Sequence, residues 1–173
     1  MSHPGQNGKI IFKDKEINVL LRYNVLDDEF ELKNKADESV VSIVRSNEIE
    51  FVTGSAKFAM FKYLNKKDII AEGYFEILND GPIQLLKNYF ITYNEAEPAS
   101  NSYSQAKPPK YILSSEYFLL TDNNPAEHLL LRKTDILEAL NTEAARQFAK
   151  ENKLKLKTEE EVYQLLNFIN KTK

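Results

Sequence analysis

Few side chains of this 173-residue chain could carry covalent or metal chemistry. The chain contains no cysteine, no tryptophan and two histidines, His3 and His128. Thiolate nucleophiles, zinc sites built on thiolates and disulfide frameworks are therefore excluded. An active site would have to combine serine, lysine, tyrosine and carboxylate groups. The serines, however, concentrate in turns and in a proline-rich stretch, where serine commonly serves local hydrogen bonding.

The densest acidic cluster stands at a predicted turn and consists of Asp27, Asp28, Glu29 and Glu31. A calcium ion takes roughly six to eight oxygen ligands, and the known calcium loops place them at regular spacings. The spacing in this cluster matches no such loop. We therefore expect a solvated hairpin turn here.

A second polar group surrounds the histidine in the body of the chain and consists of Asp122, Asn123, Asn124, Glu127 and His128. A lone histidine beside an Asn-Pro turn is typical of a surface residue, whereas zinc sites gather three or four nitrogen, sulfur or carboxylate ligands. We expect no metal site and no cofactor.

One pair of carboxylates, Glu72 and Glu76, shares a face of a predicted strand. Four residues along a strand separate two Cα atoms by ~13 Å, whereas the paired carboxyl groups of glycoside hydrolases lie ~5–9.5 Å apart. The chain also lacks a glycine-rich phosphate loop. We therefore assign no catalytic residues and expect a protein that is not an enzyme. A carboxylate-based hydrolase ranks third, after the binding module and the ligand carrier described below.

Alternation of apolar and polar residues with a period of two runs through most of the chain and predicts β-strands. Asp80 and Gly81 give the clearest hairpin signal, because an Asp-Gly pair supports the positive φ of a tight turn. In the strand after this turn, apolar residues occupy both faces, which indicates a sheet that curls or is covered on both sides. The predicted strands are 16–25, 29–33, 40–44, 48–53, 56–64, 69–78, 82–94, 111–113, 117–121 and 129–132.

Residues 94–110 interrupt this alternation with three prolines, three serines and no apolar period. Connections of this length are uncommon in compact domains and tend to be functional or disordered. A surface crossing is our first interpretation, and a binding loop that uses Tyr103 and Tyr111 is the alternative. Aromatic residues elsewhere in the strands are expected to fill the core, or to line a cavity if the sheet forms a barrel.

The period changes to that of a helix after residue 134. Thr134 and Thr142 are each placed to cap a short helix. Thr158 followed by Glu161 has the spacing of a capping box, and a helical apolar stripe follows it. The connector 152–157, which precedes this helix, alternates leucine with lysine, which predicts that its leucines point inward. The apolar stripe of the helix after Thr158 consists of Val162, Leu165, Leu166 and Ile169.

These patterns predict an α+β fold, a mostly antiparallel β-meander of about ten strands with two or three C-terminal helices. The sheet would form a curved sheet, a sandwich or a partial barrel. We expect a flexible N-terminal segment over residues 1–8 and one domain over 9–173. Its strands would cover 9–132, with the crossing at 94–110, and its helical tail 134–171.

A resemblance to a known family is carried by segments 8–12, 21–24, 29–32, 73–78, 81, 85–87, 95–98, 150–155 and 159–161. These segments resemble a family of uncharacterised exported, signal-peptide-bearing cell-envelope proteins of Bacteroidetes-type bacteria. The resemblance covers most of the chain and is carried by structural motifs. It implies a precursor with a signal peptide and a mature domain in the cell envelope.

Composition limits the partners. The net charge is −3 with 28% charged residues, which gives no basic field for nucleic acid. No apolar run approaches the ~20 residues of a membrane span. We expect a non-enzymatic binding or interaction module of the cell envelope whose partner is another envelope protein or a small ligand. A carrier of an apolar ligand or glycan in an aromatic-lined cavity is the alternative. The expected location is periplasmic or outer-membrane-associated, with the cytoplasm as the alternative.

Overall fold

The computed structural model describes residues 6–13, 15–34, 39–96, 105, 108–122 and 124–172. Ten strands precede three helices, which confirms the predicted α+β class. The strands are β1 Gln6–Phe12, β2 Lys15–Asn24, β3 Glu29–Lys33, β4 Val40–Ser42, β5 Ile49–Thr53, β6 Ala56–Leu64, β7 Ile70–Ile77, β8 Ile83–Asn94, β9 Lys110–Thr121 and β10 Glu127–Leu129. The helices are α1 Lys133–Leu140, α2 Glu143–Glu151 and α3 Glu159–Thr172.

The strands form one antiparallel sheet in the order β10-β9-β8-β7-β6-β5-β1-β2-β3-β4. The sequence of neighbours follows the chain except at β5, which returns past the first hairpins to pair with β1. The sheet is therefore a meander with one crossover. β1 lies between β2 and β5, so each of its edges is hydrogen-bonded.

Three predicted boundaries need correction. β1 begins at Gln6, so residues 6–8 belong to the sheet and not to a flexible segment, while residues 1–5 lie outside the described part of the chain. The predicted strands 111–113 and 117–121 are one strand, because Ser114, Ser115 and Glu116 continue the pairing with β8. The last strand ends at Leu129, three residues before its predicted end.

The N-terminal half of the sheet curls around a group of buried side chains that we call the N-terminal core. Phe30 of β3 and Tyr74 of β7 have four strands between them in the sheet order, yet their ring centroids are 5.1 Å apart. Only a strongly curved sheet brings such strands together. The buried members are Leu21, Phe30, Phe51, Phe58, Met60 and Tyr74.

The C-terminal half curls towards the opposite face around a second group, the strand core. A parallel bridge joins Tyr63 of β6 to Ala126, just before β10, and the Ala126 amide donates to the Lys62 carbonyl at 2.8 Å. Strands β6 to β10 thereby surround one set of side chains, although the ten-stranded sheet is not closed. The buried members of the strand core are Phe75, Leu86, Phe118 and Ala126.

Three helices cover the remaining apolar face of β8 and β9. The predicted stripe of α3 is fully buried, with Val162, Leu165 and Leu166 at 0% exposure. Leu154 and Leu156 of the connector are buried beside it, as their alternation with lysine predicted. Burial of this stripe against the sheet therefore stabilises the helical tail as part of the core.

The predicted helix caps hold in two of three cases. Thr142 Oγ1 accepts from the Ala145 amide, and Thr158 Oγ1 accepts from the Glu161 amide at 3.3 Å. Glu161 completes the second cap by accepting from the Lys155 and Lys157 amides, further back than a capping box requires. The assignment of Thr134 is wrong: α1 begins at Lys133, and Thr134 Oγ1 bonds Asp135 inside its first turn.

The predicted hairpin turn between β7 and β8 is confirmed and also anchors α3. Gly81 has a φ of 118°, and a Cβ there would lie 2.5 Å from Asn170 of α3. Only glycine fits both restrictions. The side-chain nitrogen Nδ2 of Asn170 donates to the carbonyls of Asp80 and Ile83, so the turn holds the end of the helix. Across the described residues, no helix has the length and apolarity to cross a membrane.

Candidate functional site

A cleft opens where β7 and β8 separate. The two strands pair at only two positions, Glu76 with Lys87 and Ile77 with Leu86. Beyond these pairs, side chains bond the β7 backbone at Tyr74: its amide donates to the Asp28 carboxylate at 3.3 Å, and its carbonyl accepts from Asn88 Nδ2 at 3.1 Å. The separation leaves Asn88 and Phe90 of β8 facing a gap.

This gap is an open cleft of about 910 Å³. The β6–β7 turn forms one wall and the strands β8, β9 and β10 form the others. We call it the aromatic cleft, because rings from three strands line its base. Its lining residues are Tyr63, Leu64, Asn65, Lys66, Lys67, Asp68, Asn88, Phe90, Glu116, Phe118, Glu127 and His128.

The base of the aromatic cleft is rigid. Phe118 is 4% exposed and meets Tyr63 and Phe75 edge to face, with ring centroids 5.4 and 5.2 Å away. The His128 ring also meets Phe118 at 5.5 Å with an interplanar angle of 86°. Such edge-to-face contacts are the preferred packing of aromatic rings. The same rings belong to the strand core, which fixes their orientation.

The rim of the cleft carries both signs of charge. Lys66 Nζ donates to Glu116 Oε1 at 2.7 Å and lies 5.8 Å from the Phe90 ring centroid. Lys67, Asp68 and Glu127 complete the charged rim. Because the rim contains both positive and negative groups, it offers hydrogen bonds without a strong field of one sign.

The β6–β7 turn is preorganised by its own hydrogen bonds. Asn65 Oδ1 accepts from the Lys67 amide at 2.8 Å and from the Ile69 amide at 3.2 Å. Asp68 adopts a left-handed φ of 56°, which aspartate tolerates better than most residues. These contacts fix the loop that carries Lys66, so the wall of the cleft is formed before any ligand arrives.

Of the two residues predicted for a binding loop, only Tyr111 is described, and it does not line this cleft. Tyr103 lies outside the described residues. Tyr111 is 71% exposed near the beginning of β9, where its ring centroid lies 5.1 Å from that of Tyr93. It belongs to what we call the distal arm, residues 88–94 of β8 and 110–116 of β9, which extends past the end of the pairing with β7.

The prediction of a solvated turn at the acidic cluster is wrong for two of its four residues. Asp28 Oδ1 accepts from the Tyr23 hydroxyl at 2.7 Å, and its carboxylate also pairs with Arg45 at 2.9 Å. Glu31 is 7% exposed and accepts from Arg22 Nε at 2.7 Å. Both carboxylates therefore have specific partners. Sequence spacing alone could not reveal those of Asp28, because Arg45 and Tyr74 are distant in the chain.

Burial raises the pKa of Tyr23, and the hydrogen bond to Asp28 raises it further. The hydroxyl therefore stays protonated and acts as a donor. No group of three or more histidine, aspartate or glutamate residues within the described part of the chain is arranged to hold a metal ion. His128 lies in the aromatic cleft, whereas Asp122 and Asn124 line a separate pocket.

The carboxylate pair considered for hydrolysis is divided between two environments. Glu76 Oε2 accepts from the Tyr89 hydroxyl at 2.5 Å, while Glu72 is exposed. Burial and the contact with Glu76 raise the pKa of Tyr89. Glu76 thus has a structural partner and does not face a shared reacting position with Glu72.

Beside this pair, Lys87 joins the sheet to α3. Its Nζ donates to Glu159 Oε1 at 2.8 Å, and the Tyr117 hydroxyl donates to the same oxygen at 2.6 Å. Burial would raise the pKa of Glu159, but these two hydrogen bonds outweigh burial and lower it below its ordinary value of 4.5. The group is an ionic contact between helix and sheet.

The sequence did contain a signal for the cleft. Apolar residues on both faces of β8 predicted that each face is covered, and Phe90 belongs to the face away from the helices. What the pattern could not show was the separation of β7 from β8, because the side chains that bond Tyr74 come from distant segments. Comparison with known protein families, with characterised proteins and with solved structures finds no match to this chain.

Proposed function

We propose that the protein is a non-enzymatic binding module of the bacterial cell envelope and that the aromatic cleft is its ligand site. The observation that carries the proposal is the cleft itself: about 910 Å³ of open space with aromatic rings at its base and hydrogen-bonding groups around its rim. Ligand sites commonly occupy ~300–1,000 Å³ and combine apolar walls with a few polar groups. The envelope location rests on the resemblance of the segments described above.

A neutral saccharide fits the chemistry of this cleft. A sugar ring has an apolar C–H face, which stacks on an aromatic ring, and hydroxyl edges, which need both donors and acceptors. Phe90 and Tyr63 supply the rings. Lys66 supplies donors, and Glu116 supplies acceptors. The charges on the rim are mixed in sign, so a neutral ligand suffers no large electrostatic penalty.

Binding at a preformed site also needs a wall that does not collapse when empty. The Asn65 hydrogen bonds hold the β6–β7 turn, and the Lys66–Glu116 ion pair joins that turn to β9. A preorganised site loses less conformational freedom on binding, which favours affinity. The same ion pair places Lys66 near the Phe90 ring, so we expect the lysine to move aside or to donate to the ligand.

The test is a titration of the protein with soluble N-acetylglucosamine trimer, followed by the backbone amide resonances of an isotope-labelled sample. We expect shifts at Lys66, Phe90 and His128 and a loss of binding in Phe90→Ala. Tyr163→Ala is the matched control, because Tyr163 is a 41% exposed aromatic residue on α3, outside the cleft. Shifts confined to other surfaces, or equal effects of both substitutions, would contradict the proposed site.

A carboxylate-based hydrolase is the alternative, because Asp68, Glu116 and Glu127 line the same cleft. Glu116 accepts a hydrogen bond from Lys66, so its carboxylate already has a partner in the cleft. The titration distinguishes the two functions if the trimer is analysed afterwards. An unchanged trimer supports a binding module, whereas release of shorter sugars that stops in Glu116→Gln supports a hydrolase.

A further inference from the structure

The distal arm leaves one long edge of β8 without a neighbour among the described strands. β7 pairs with β8 no further than Lys87, whereas β9 continues to Lys110 opposite Asn94. The two strands at the ends of the sheet order, β4 and β10, contain three residues each, and shortness is one way in which proteins protect an edge. The β8 edge spans the seven residues 88–94, of which the Asn88 side chain reaches the Tyr74 carbonyl of β7, and within the described part of the chain it has no such protection.

The direction of the backbone groups shows which residues present this edge. The Leu85 amide donates to Asn79 Oδ1 at 2.7 Å, and its carbonyl accepts from the Leu78 amide at 2.9 Å, so both groups of Leu85 point away from β9. In an antiparallel strand every second residue points the same way. The backbone groups of Tyr89, Ile91 and Tyr93 therefore face the open edge.

The residues along this edge form a near-palindrome. The sequence of 88–94 is Asn-Tyr-Phe-Ile-Thr-Tyr-Asn, with Ile91 at its centre. In an antiparallel pair of two such strands centred on Ile91, Asn88 faces Asn94 and Tyr89 faces Tyr93. An isologous contact requires this kind of self-complementarity, because the same surface serves both subunits.

The stretch is also free of charge and proline, the two residue classes that usually discourage edge pairing. Exposed apolar side chains continue on one face of the arm: Tyr93 is 52% exposed, Tyr111 71% and Leu113 61%. Two neutral, aromatic edges of this kind suffer no charge repulsion when they meet. A charged peptide would find no complementary charge along residues 88–94.

We infer that two copies of the chain associate through antiparallel pairing of their β8 edges, centred on Ile91. Each of Tyr89, Ile91 and Tyr93 then exchanges backbone hydrogen bonds with the partner strand, about six in total. The two sheets become one continuous sheet across a twofold axis. The pairing uses the backbone groups of Tyr89, Ile91 and Tyr93, whereas the side chains of Asn88 and Phe90 on the same strand line the aromatic cleft.

The first test compares the mass in solution of the wild-type chain with those of Ile91→Pro and Ile91→Val, by analytical ultracentrifugation over a range of concentrations. Proline removes the Ile91 amide, which does not take part in the pairing with β9, whereas valine keeps it. We expect a dimer for the wild type and Ile91→Val and a monomer for Ile91→Pro. Thermal melting of Ile91→Pro at low concentration verifies that the variant is folded.

A second test does not depend on whether β8 tolerates a proline at position 91. The chain has no cysteine, so a single substitution places one thiol per copy. Directly opposed, hydrogen-bonded residues of an antiparallel pair have Cα atoms ~5.5 Å apart, within the range of a disulfide. Ile91→Cys should therefore cross-link rapidly on mild oxidation, and Thr92→Cys, which lies opposite Phe90 of the other copy, should cross-link slowly.

A wild-type monomer at every concentration would overturn the inference. So would a dimer in which Thr92→Cys cross-links as fast as Ile91→Cys, because the pairing would then use another register or another surface. Assemblies larger than a dimer would show that the β8 edge pairs with a different edge, β4 or β10, and would overturn it as well.

Discussion

At the scale of single residues, Asp28 has the largest set of partners among the acidic residues of the turn between β2 and β3. Its carboxylate accepts from the Tyr23 hydroxyl and the Tyr74 amide and pairs with Arg45, whose guanidinium also donates to the Glu72 carbonyl at 3.0 Å. The turn is thereby attached to β7, four strands away in the sheet order. A side chain that looked solvent-exposed in the sequence thus holds the curl of the N-terminal half.

Asp28→Ala tests this role. The substitution leaves the Tyr23 hydroxyl and the Tyr74 amide without their acceptor, and each unsatisfied buried group costs roughly 1–3 kcal/mol. We expect a loss of about 2–4 kcal/mol in the free energy of unfolding, measured by urea denaturation. Asp27→Ala is the matched control, because Asp27 is exposed and bonds only Asn24 nearby, at 2.8 Å. A loss of similar size in both variants would contradict the assigned role.

Two tyrosines, the buried Tyr74 of the N-terminal core and the partly buried Tyr23 beside it, allow a paired prediction. The Tyr23 hydroxyl donates to Asp28, whereas the Tyr74 hydroxyl has no hydrogen-bond partner among the described residues. Burial raises the pKa of Tyr74, although the Arg45 guanidinium and the Ser46 backbone amide, which faces the hydroxyl without bonding it, oppose this. The neutral hydroxyl is therefore retained at a net cost in desolvation.

We expect Tyr23→Phe to lower the free energy of unfolding by about 1–2 kcal/mol, because a hydrogen bond to a carboxylate is lost. Tyr74→Phe should leave it unchanged or raise it by up to about 1 kcal/mol, because an unsatisfied polar atom is removed. Urea denaturation of the two variants gives both values. Destabilisation of Tyr74→Phe by as much as Tyr23→Phe would indicate a bound water or another partner at that hydroxyl.

At the scale of elements, the contact between α3 and the sheet combines an apolar stripe with one ionic group. Leu165 and Leu166 are fully buried in the apolar cluster between the helices and the sheet, while Glu159 in the first turn accepts from Lys87 and Tyr117. The carboxylate also lies at the positive end of the helix dipole. Apolar burial holds the helix on the sheet, and the ionic group fixes its N-terminal end.

This ionic group predicts a pH dependence of stability. The pKa of Glu159 is lowered in the folded protein, so its contribution is fully present above the ordinary value of 4.5 and is lost as the pH falls through the folded pKa. Glu159→Gln should therefore be less stable than the wild type near neutral pH, and the difference should shrink below pH 4.5. The gain is modest because 40% of the Glu159 side chain is exposed.

The matched control is Glu160→Gln, at the next position of the same first turn, where the helix dipole acts equally. Glu160 bonds only Gln164, at 3.3 Å. Thermal melting of both variants between pH 3 and 7 separates the two effects. If the two variants follow the same pH profile, the Lys87–Glu159–Tyr117 contact does not stabilise the fold.

At the scale of the whole molecule, two strands join the opposite curls of the sheet. β6 contributes Phe58 and Met60 to the N-terminal core and packs Phe61 and Tyr63 against the strand core. In β7, Tyr74 belongs to the N-terminal core and Phe75 belongs to the strand core. Because successive residues of a strand point to opposite faces, neither curl can lose β6 or β7 without opening the other.

The shared strands predict cooperative unfolding of both halves. Leu21→Ala in the N-terminal core and Leu165→Ala in α3 should each cost about 2–5 kcal/mol. Each should shift one common transition, seen at the same urea concentration by far-ultraviolet circular dichroism and by tyrosine fluorescence. Two separate transitions in either variant would show that the halves fold independently.

The sequence by itself determined the elements and their class. Period-two alternation predicted the strands, Asp80 and Gly81 predicted the central turn, and the spacing from Val162 to Ile169 predicted the buried face of α3. These features depend on neighbours within about ten residues, and the chain displays them directly. Two of the corrections, the continuous β9 and the early start of β1, arise where pairing with a neighbouring strand overrides weak local alternation.

Only the tertiary structure decided the sense of the two curls, the roles of Asp28 and Glu31 and the position of the aromatic cleft. Each depends on contacts between residues far apart in the chain, such as Asp28 with Tyr74 and Lys66 with Glu116. Period-two alternation predicts which side of a sheet a residue faces, but it does not predict what covers that side. The cleft lies beside the point where the pairing of β7 with β8 ends, and no local pattern encodes where that pairing ends.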